Sequence, residues 1–335
     1  MSRYILLGFL IFLLTLILLI ILIPSTSDFD PSNPLYNGLE IFVNMYNATI
    51  LSIRDLSRVN SNNSIVFIIG PTINFSLADA SILREYIERG GVVVLADDFG
   101  SGNTLLESMN VSVRFDKRLL EDPLYNFKSS KLPIANVRIN NQTYNLYLNY
   151  ATVINASSRD SNCIGYSSVY SYLDSNLNNI KDPDEPWGPF CIVYRLILRE
   201  GSMVLISDPS IFINSMISLG DNSNFIKTLI ENRFVYVISD FWVRDLYSST
   251  RSSLLSLLGL IFISSLRYPV LILIILASIV YIHRSCVLRE KIDLSARINS
   301  LVREIILRHP DWDERVVREI VSEVIRYRLQ NERSI

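Results

Sequence analysis

The stretch from Asn63 to Gly102 constrains the fold of this chain more than any other. Ile65 to Ile69 is an unbroken β-branched and aromatic run, which is typical of a strand buried on both faces. A helical pattern follows, with Ser76 as its N-cap and Gly90-Gly91 at its end. Val92 to Ala96 is a second continuous apolar run. Strand, helix and strand in this order predict a right-handed βαβ unit in a parallel sheet.

The strand signature recurs along the chain, but one long region breaks it. Thr49 to Ile53, Met203 to Ser207 and Phe234 to Ser239 each predict a further strand. Residues 116–200 are instead rich in Asn, with turn clusters between segments of alternating polarity. This pattern predicts a β-rich insertion in an α/β domain.

Two apolar segments predict membrane-spanning helices. Tyr4 to Ile23 carries no charge over about 20 residues, enough to cross a hydrocarbon core of roughly 30 Å. A cleaved signal peptide is the alternative, but the run exceeds the usual apolar region of about 7–15 residues. The second span is expected over Ile263 to Ile282, approached by Ser253 to Phe262 on or in the membrane. The expected anchors are therefore residues 1–24 and 253–283.

Charges near these segments predict an orientation. Arg3 precedes the first, and Arg284 with two further basic residues follows the second. By the positive-inside rule, both termini are cytoplasmic and residues 25–252 are extracytoplasmic. The expected location is a cell membrane, with the lipid bilayer as one partner.

Sequons and cysteines fit an exported domain. Six N-x-[ST] sequons predict glycosylation, at Asn47, Asn62, Asn74, Asn110, Asn141 and Asn155. Cys163 and Cys191 lie in the same region, where they form one disulfide or remain two buried thiols. Cys286 stands alone on the expected inner side.

Three segments carry a family resemblance: Ala78 to Gly91, Val92 to Asp98, and Ser207-Asp-Pro-Ser-Ile-Phe-Ile-Asn214. They resemble the class I glutamine amidotransferase-like, flavodoxin-like modules of archaeal and bacterial membrane proteins. The gliding-motility auxiliary transporter component and an intraflagellar-transport subunit share this module. The resemblance implies a parallel-sheet α/β domain of unknown function, here with a β-rich insertion. It also implies a MoxR-type ATPase as a partner system, since family members often lie beside such genes.

The residues argue against enzymatic activity of the usual kinds. An amidotransferase needs a Cys nucleophile and a His base, yet Gly70-Pro71-Thr72 follows the first buried strand. The two histidines of the chain are His283 and His309, both beyond residue 252. Ser-His-Asp and Cys-His machinery and His-type zinc sites are therefore excluded from the expected outer domain. The nearly balanced charge also gives no reason to expect nucleic acid binding.

Carboxylates follow three of the predicted strands, at Asp97, Asp98, Asp208 and Asp240. The carboxyl ends of parallel strands line the ligand crevice of an open sheet, so these side chains are candidates for a common cleft. Such a cleft would bind a cation or a sugar, or act as a glycosidase through a carboxylate pair. Helix capping and loop solvation are the alternative roles.

The most specific motif matches a twelve-position calcium loop. The matching donors at positions 1, 3, 5, 7, 9 and 12 are Asp174, Asn176, Asn178, the Ile180 carbonyl, Asp182 and Glu185. Asn179 replaces the usual Gly at position 6, and Asn tolerates a positive φ. Flanking helices are not evident, so a structural calcium ion is expected, or else a surface turn without an ion. A Cys163–Cys191 bridge would enclose the loop and add about 3 kcal/mol at most.

Residues 284–335 predict two short amphipathic helices. They form a cytoplasmic hairpin that docks on an unidentified membrane or cytoplasmic protein, packs on itself, or lies on lipid. The function expected from the whole sequence is a membrane-anchored, non-catalytic ligand- or protein-binding domain, an accessory of a membrane or envelope complex. A carboxylate-dependent surface hydrolase and a purely structural envelope component are the alternatives.

Overall fold

The computed structural model describes residues 2–156, 160–243, 245–263 and 267–332. The chain divides into two compact units, Met1–Leu254 and Leu255–Ile335. Its helices are α1 (Ser2–Leu22), α2 (Glu40–Met45), α3 (Leu77–Glu88), α4 (Gly102–Ser108), α5 (Asn222–Ile230), α6 (Leu246–Ile263), α7 (Arg267–Arg308) and α8 (Glu314–Glu332). Its strands are β1 (Thr49–Leu51), β2 (Ser64–Ile69), β3 (Val92–Ala96), β4 (Arg114–Phe115), β5 (Leu119–Glu121), β6 (Ile134–Ile139), β7 (Gln142–Tyr147), β8 (Ile154–Asn155), β9 (Cys163–Tyr166), β10 (Tyr172–Asp174), β11 (Cys191–Leu198), β12 (Gly201–Ile206) and β13 (Phe234–Ile238).

The predicted βαβ unit is present. β2 and β3 pair in parallel, with Ile65 opposite Val92 and Ile69 opposite Ala96, and α3 connects them. Ser76 caps α3 through a reciprocal box, since its hydroxyl accepts from the Asp79 N–H and the Asp79 carboxylate accepts from the Ser76 N–H. The parallel part of the sheet has the order β1-β13-β2-β3-β12.

The region from residue 116 to 200 is rich in strands. β11 pairs antiparallel with β12, and the sheet continues through β9 and β6 to β7. β5 and β10 form a separate two-stranded antiparallel ladder. The insertion therefore extends the parallel sheet with antiparallel strands, and it carries the ladder from which the loop of residues 174–185 begins.

Both faces of the central strands are buried. In β2, Phe67 and its alternate neighbours contact one apolar cluster, which includes Phe42 of α2 and Phe225 of α5. Val66 and Ile68 of the same strand contact the opposite cluster, with Leu83 of α3. Continuous apolar runs are what a strand covered on both sides requires.

The expectation of two membrane spans is wrong. Among the residues that the structure describes, no helix is long and apolar enough to cross a membrane. α6 opens with polar residues, Ser248 to Arg251, and α7 continues for 42 residues into a strongly charged half. Residues 264–266 of the expected second span lie outside the described residues. The predicted two-span topology is therefore wrong. The membrane location and the orientation, which depended on these spans, are not supported.

The second unit contains a helical hairpin. α7 and α8 pack through the buried side chains of Val302, Val317 and Val321. The short connection includes stacked rings of His309 and Trp312, with centroids 4.4 Å apart. The amphipathic pattern predicted for this region therefore produces a hairpin packed on itself.

Candidate functional site

The carboxyl ends of the parallel strands carry the four predicted acids, but at different places along the edge. Asp97 and Asp98 follow β3, and Asp208 follows its neighbour β12. Asp240 follows β13, which is separated from β3 by β2. The strand order therefore brings three of these acids to adjacent strands and leaves Asp240 apart.

Asp97 is a fully buried structural acceptor. Its Oδ1 accepts from the Gly100 N–H at 3.0 Å, and its Oδ2 accepts from the Gly102 N–H at 2.7 Å. Burial raises its pKa to about 7, against the opposing effect of these hydrogen bonds. Asp97 therefore holds the turn that leads into α4.

Asp208 is buried in the same way, with Asp98 close to it. The Asp208 carboxylate accepts from the N–H groups of Asn149, at 2.6 Å, and Ser210, at 2.7 Å. Burial raises its pKa to about 7, and the charge of Asp98 adds to the shift. Asp98 is half-buried, and burial also raises its pKa. Asp98 is thus the member of this group that a solvent-borne ligand can reach.

Asp240 has a local role. Its exposed carboxylate accepts from the Ser52 hydroxyl at 2.9 Å and from the Ile53 N–H at 2.5 Å. These contacts hold the start of the 3-10 turn Ile53–Arg58. The four acids therefore do not line one cleft.

The carboxyl ends of β2 and β13 are covered by the chain itself. The two strands are parallel neighbours in the sheet, and their carboxyl ends lie at the edge where open α/β sheets bind ligands. There the Phe241 carbonyl accepts from the N–H groups of Thr72 and Ile73, at 2.7 and 3.0 Å. The indole N–H of Trp242 donates to the Ile69 carbonyl at 2.6 Å. The chain after β13 thus covers the carboxyl end of β2.

Phe29 packs against the residue that follows β2. This residue, Gly70, has a φ of 56°, and a Cβ added there would lie 2.6 Å from Cε2 of Phe29. Gly70 therefore has no side chain because the Phe29 ring packs directly on its backbone. The ring of Phe75 lies against that of Phe241, with centroids 3.9 Å apart.

The first half of the predicted calcium loop is held by its own side chains. Asp174 is fully buried and accepts from the N–H groups of Asn178, at 3.3 Å, and Asn179, at 2.9 Å. Asn179 has a φ of 61°, as position 6 of such a loop requires. The side-chain oxygen of Asn178 accepts from the Ile180 N–H at 2.8 Å.

The second half of the loop is hydrogen-bonded to the first half. Asp182 Oδ2 accepts from the side-chain amides of Asn176, at 2.7 Å, and Asn178, at 2.9 Å. Glu185 is 4 % exposed and accepts from the N–H groups of Ser175 and Asp182. Within the described ranges, no three His, Cys, Asp or Glu side chains converge closely enough to hold a metal ion. Calcium binding by these residues therefore stays a prediction.

The disulfide between Cys163 and Cys191 is confirmed. The two cysteines begin β9 and β11, which are neighbouring strands, and their Cα atoms are 5.9 Å apart. The bridge closes the segment that contains the whole loop of residues 174–185. All six sequon asparagines are exposed, and glycosylation of them stays a prediction.

A family model described as a domain of unknown function (DUF4350) matches residues 44–230. This chain belongs to that family. The matched region contains β2, β3 and β12 of the parallel sheet and the whole insertion. No curated protein sequence matches the chain.

Solved structures show similarity to parts of the DUF4350 chain. The N-terminal domain of the intraflagellar transport protein mmIFT52 has a TM-score of 0.41 at 13% identity, covering 54% of this chain and 79% of that domain. A β-galactosidase from Bacillus circulans sp. alkalophilus has a TM-score of 0.28 at 12% identity, covering 50% of this chain. The chain spans 22% of the length of that galactosidase. The expected likeness to an intraflagellar-transport module is thus found, and the amidotransferase likeness is not confirmed.

Glu121 is a buried acid of the DUF4350 domain that sequence reasoning missed. Glu121 is fully buried on β5, and its Oε2 accepts from the hydroxyls of Ser130, at 2.8 Å, and Tyr172, at 2.9 Å. Its Oε1 has no hydrogen-bond partner among the described residues. Only the pairing of β5 with β10 brings Glu121 next to the loop, and no local motif marks that pairing.

Proposed function

We propose that this DUF4350 chain is a non-catalytic binding protein, in which the α/β body supports the insertion. The covering of the carboxyl ends of β2 and β13 carries this proposal. Trp242, Phe241 and Phe29 lie at these strand ends, on the edge where open parallel sheets bind ligands. A protein in which its own side chains cover this part of the edge uses its outer surfaces instead.

The roles of the acids support the same proposal. Asp97 and Asp208 are buried and saturated with backbone N–H donors, so a substrate proton is out of their reach. Residues 25–252 contain no histidine that would activate a nucleophile. These carboxylates stabilise turns rather than transfer protons.

The proposal is tested with a panel of nitrophenyl glycosides and esters. The full chain is expected to turn over none of them above the buffer rate. A carboxylate-dependent hydrolase remains the second candidate, because Asp98 lies near enough to Asp208 to raise its pKa. Turnover that disappears in Asp98→Asn, with an unchanged circular dichroism spectrum, would establish the hydrolase.

We assign the α/β body to the amidotransferase-like class. The order β1-β13-β2-β3-β12, all parallel, and the βαβ unit ending in Asp97-Asp98 support this assignment. The body lacks the nucleophile of that class, since Gly70-Pro71-Thr72 follows β2. It is therefore a binding version of the fold.

We also propose that the loop of residues 174–185 takes a structural calcium ion. The alternating oxygen donors and the positive φ of Asn179 support a hard-cation site. The melting midpoint of the full chain is expected to be higher in calcium than in chelator, because the folded state binds the ion and the unfolded state does not. Equal midpoints would show that the loop holds no structural calcium ion.

The exposed apolar face of α8 supports the proposal that a partner protein binds the second unit. The family resemblance implies a MoxR-type ATPase as this partner. Val316, Ile320 and Val324 repeat at four-residue intervals and are each more than half exposed. The α7 side of the helix is covered at Val317 and Val321. Co-purification of the partner with the full chain should be lost in Ile320→Asp and kept in the matched control Glu319→Gln.

A further inference from the structure

A groove lies on the insertion, where β6, β7 and β9 form the end of the sheet. Its volume is about 510 Å³, within the range of ligand-binding clefts. Its lining includes Asn136 and Arg138 of β6, Thr143 of β7 and Tyr166 of β9. The described residues that line it include none of the acids at the strand ends and none of the loop of residues 174–185. The groove is therefore separate from the sites described above.

Strand alternation gives the groove its polar side. Val137 is fully buried in the core, so its neighbours Asn136 and Arg138 point to the opposite side of the sheet, where both are exposed. Arg138 lies opposite the exposed Thr143 in the β6–β7 ladder. Asn136 lies opposite Tyr166 in the β6–β9 ladder. Because directly opposite residues of antiparallel strands share one face, these four side chains converge on the groove.

The floor of the groove is fixed by buried contacts. Val137 packs in the core, and Cys163 is tied to the neighbouring strand by its disulfide to Cys191. The hydroxyl of Ser167, which is buried, accepts from the Phe190 N–H at 2.8 Å. A preformed groove loses little conformational freedom when a ligand binds.

The polar side chains of the groove have unused hydrogen-bonding capacity. Within the described ranges, those of Asn136, Arg138 and Thr143 make no hydrogen bond. The guanidinium of Arg138 presents five N–H donors and a permanent positive charge, and no Asp or Glu is found among the described lining residues. Charge complementarity therefore favours a ligand with an anionic group. The planar fork of a guanidinium matches a carboxylate, which it binds through two parallel hydrogen bonds.

The remaining side chains match a ligand that also carries hydroxyl groups. The amide of Asn136 and the hydroxyl of Thr143 can each donate and accept, as sugar hydroxyls do. The half-buried ring of Tyr166 adds an apolar surface, against which the C–H face of a sugar ring can pack. An acidic peptide would satisfy Arg138 but would offer few hydroxyls to the other two polar side chains.

We propose that this groove binds a carboxylate-bearing saccharide, a uronic acid oligomer. Arg138 pairs with the carboxylate, and Asn136 and Thr143 bind the hydroxyls of the sugar. This inference rests on the proposed binding function and names the class of its ligand.

Titration calorimetry of the full chain with trigalacturonate tests the proposal, and the methyl ester of the same trisaccharide is the neutral control ligand. Wild type is expected to bind the acid at least ~10-fold more tightly than the ester, because only the acid forms charge-assisted hydrogen bonds with Arg138. Arg138→Gln should abolish this preference. Arg195→Gln, which alters an exposed arginine of β11 outside the groove lining, is the matched control and should retain wild-type affinity.

Asn136→Ala tests the contacts to the sugar itself and should weaken the binding of acid and ester by the same factor. Unchanged affinity in Asn136→Ala, or affinity for the acid unchanged in Arg138→Gln, would overturn the assignment. Triglutamate bound as tightly as trigalacturonate would contradict the saccharide class.

Chromatography of the trigalacturonate after each titration separates this inference from the proposed function. The ligand is expected to be bound and recovered intact. Cleaved ligand would overturn the non-catalytic function while supporting the groove as its binding site. Intact ligand with no binding heat in wild type would overturn the groove assignment alone.

Discussion

The indole N–H of Trp242 donates a buried hydrogen bond to the carbonyl oxygen of Ile69, 2.6 Å away. Ile69 is the last residue of β2, and Trp242 follows β13, so this bond joins the carboxyl ends of two neighbouring parallel strands. This part of the edge, at which open α/β sheets bind ligands, is here part of the hydrophobic core.

Trp242→Phe is expected to destabilise the protein by about 1–3 kcal/mol, because it leaves the Ile69 carbonyl buried without a donor. Urea unfolding followed by circular dichroism measures this loss. The control is Trp187→Phe, whose ring is 56 % exposed and which should stay within about 0.5 kcal/mol of wild type. Equal losses in the two variants would contradict the role of Trp242.

Gly70→Ala should cost more than about 1 kcal/mol, because the new methyl group meets Phe29 and the backbone has a positive φ. Removing the ring in a Phe29→Ala background relieves the clash but not the backbone strain. The double variant should therefore lose less than the sum of the single variants in urea unfolding. Strict additivity would show that Phe29 does not press on Gly70.

Stability should fall as pH rises through neutrality. Burial raises the pKa of Asp97 and Asp208 to about 7, above the ordinary value of 3.8 that holds in the unfolded chain. The native state therefore retains protons that the unfolded state has released. The resulting stabilisation is complete below the unfolded value and is lost as pH rises toward and through about 7.

Urea unfolding between pH 5 and 8 is the measurement for this dependence, in wild type and in Asp208→Asn. The variant has no proton to lose at that position, so its free energy of unfolding should decrease less steeply with pH. A slope identical to that of wild type would mean that Asp208 is not buried as a protonated acid.

Reduction of the Cys163–Cys191 bridge should lower stability by ~3 kcal/mol, given its sequence separation of 28. Urea unfolding of wild type with and without reductant gives this difference directly. The Cys163→Ser/Cys191→Ser variant should match reduced wild type and be insensitive to reductant. A midpoint that reductant leaves unchanged would assign the bridge no stabilising role.

Local signals in the sequence were sufficient to predict the strands and the helix of the parallel core. The apolar runs of β2 and β3 and the capping box at Ser76 involve residues close together in the chain, so the sequence alone predicts them. The expected membrane spans failed because apolar length alone was read as a span, whereas α7 runs on without interruption into charged residues.

The site required long-range information that the sequence does not display. Four acids at strand ends predicted a cleft, but their distribution over separate strands and their capping bonds are set by strand order. The contacts of Trp242 and Phe29 at the end of β2 and the placement of Glu121 join residues far apart in the chain. The calcium-loop pattern is local, because all its candidate donors fall within twelve consecutive residues, and calcium binding there stays a prediction.

Titration calorimetry of the full chain with calcium chloride tests the central claim most directly. We expect one calcium ion per chain, with affinity reduced at least ~10-fold in Glu185→Gln and unchanged in Asp184→Asn, whose carboxylate is exposed at a non-ligand position of the loop. Absence of binding heat in wild type, or equal affinity in the two variants, would contradict it.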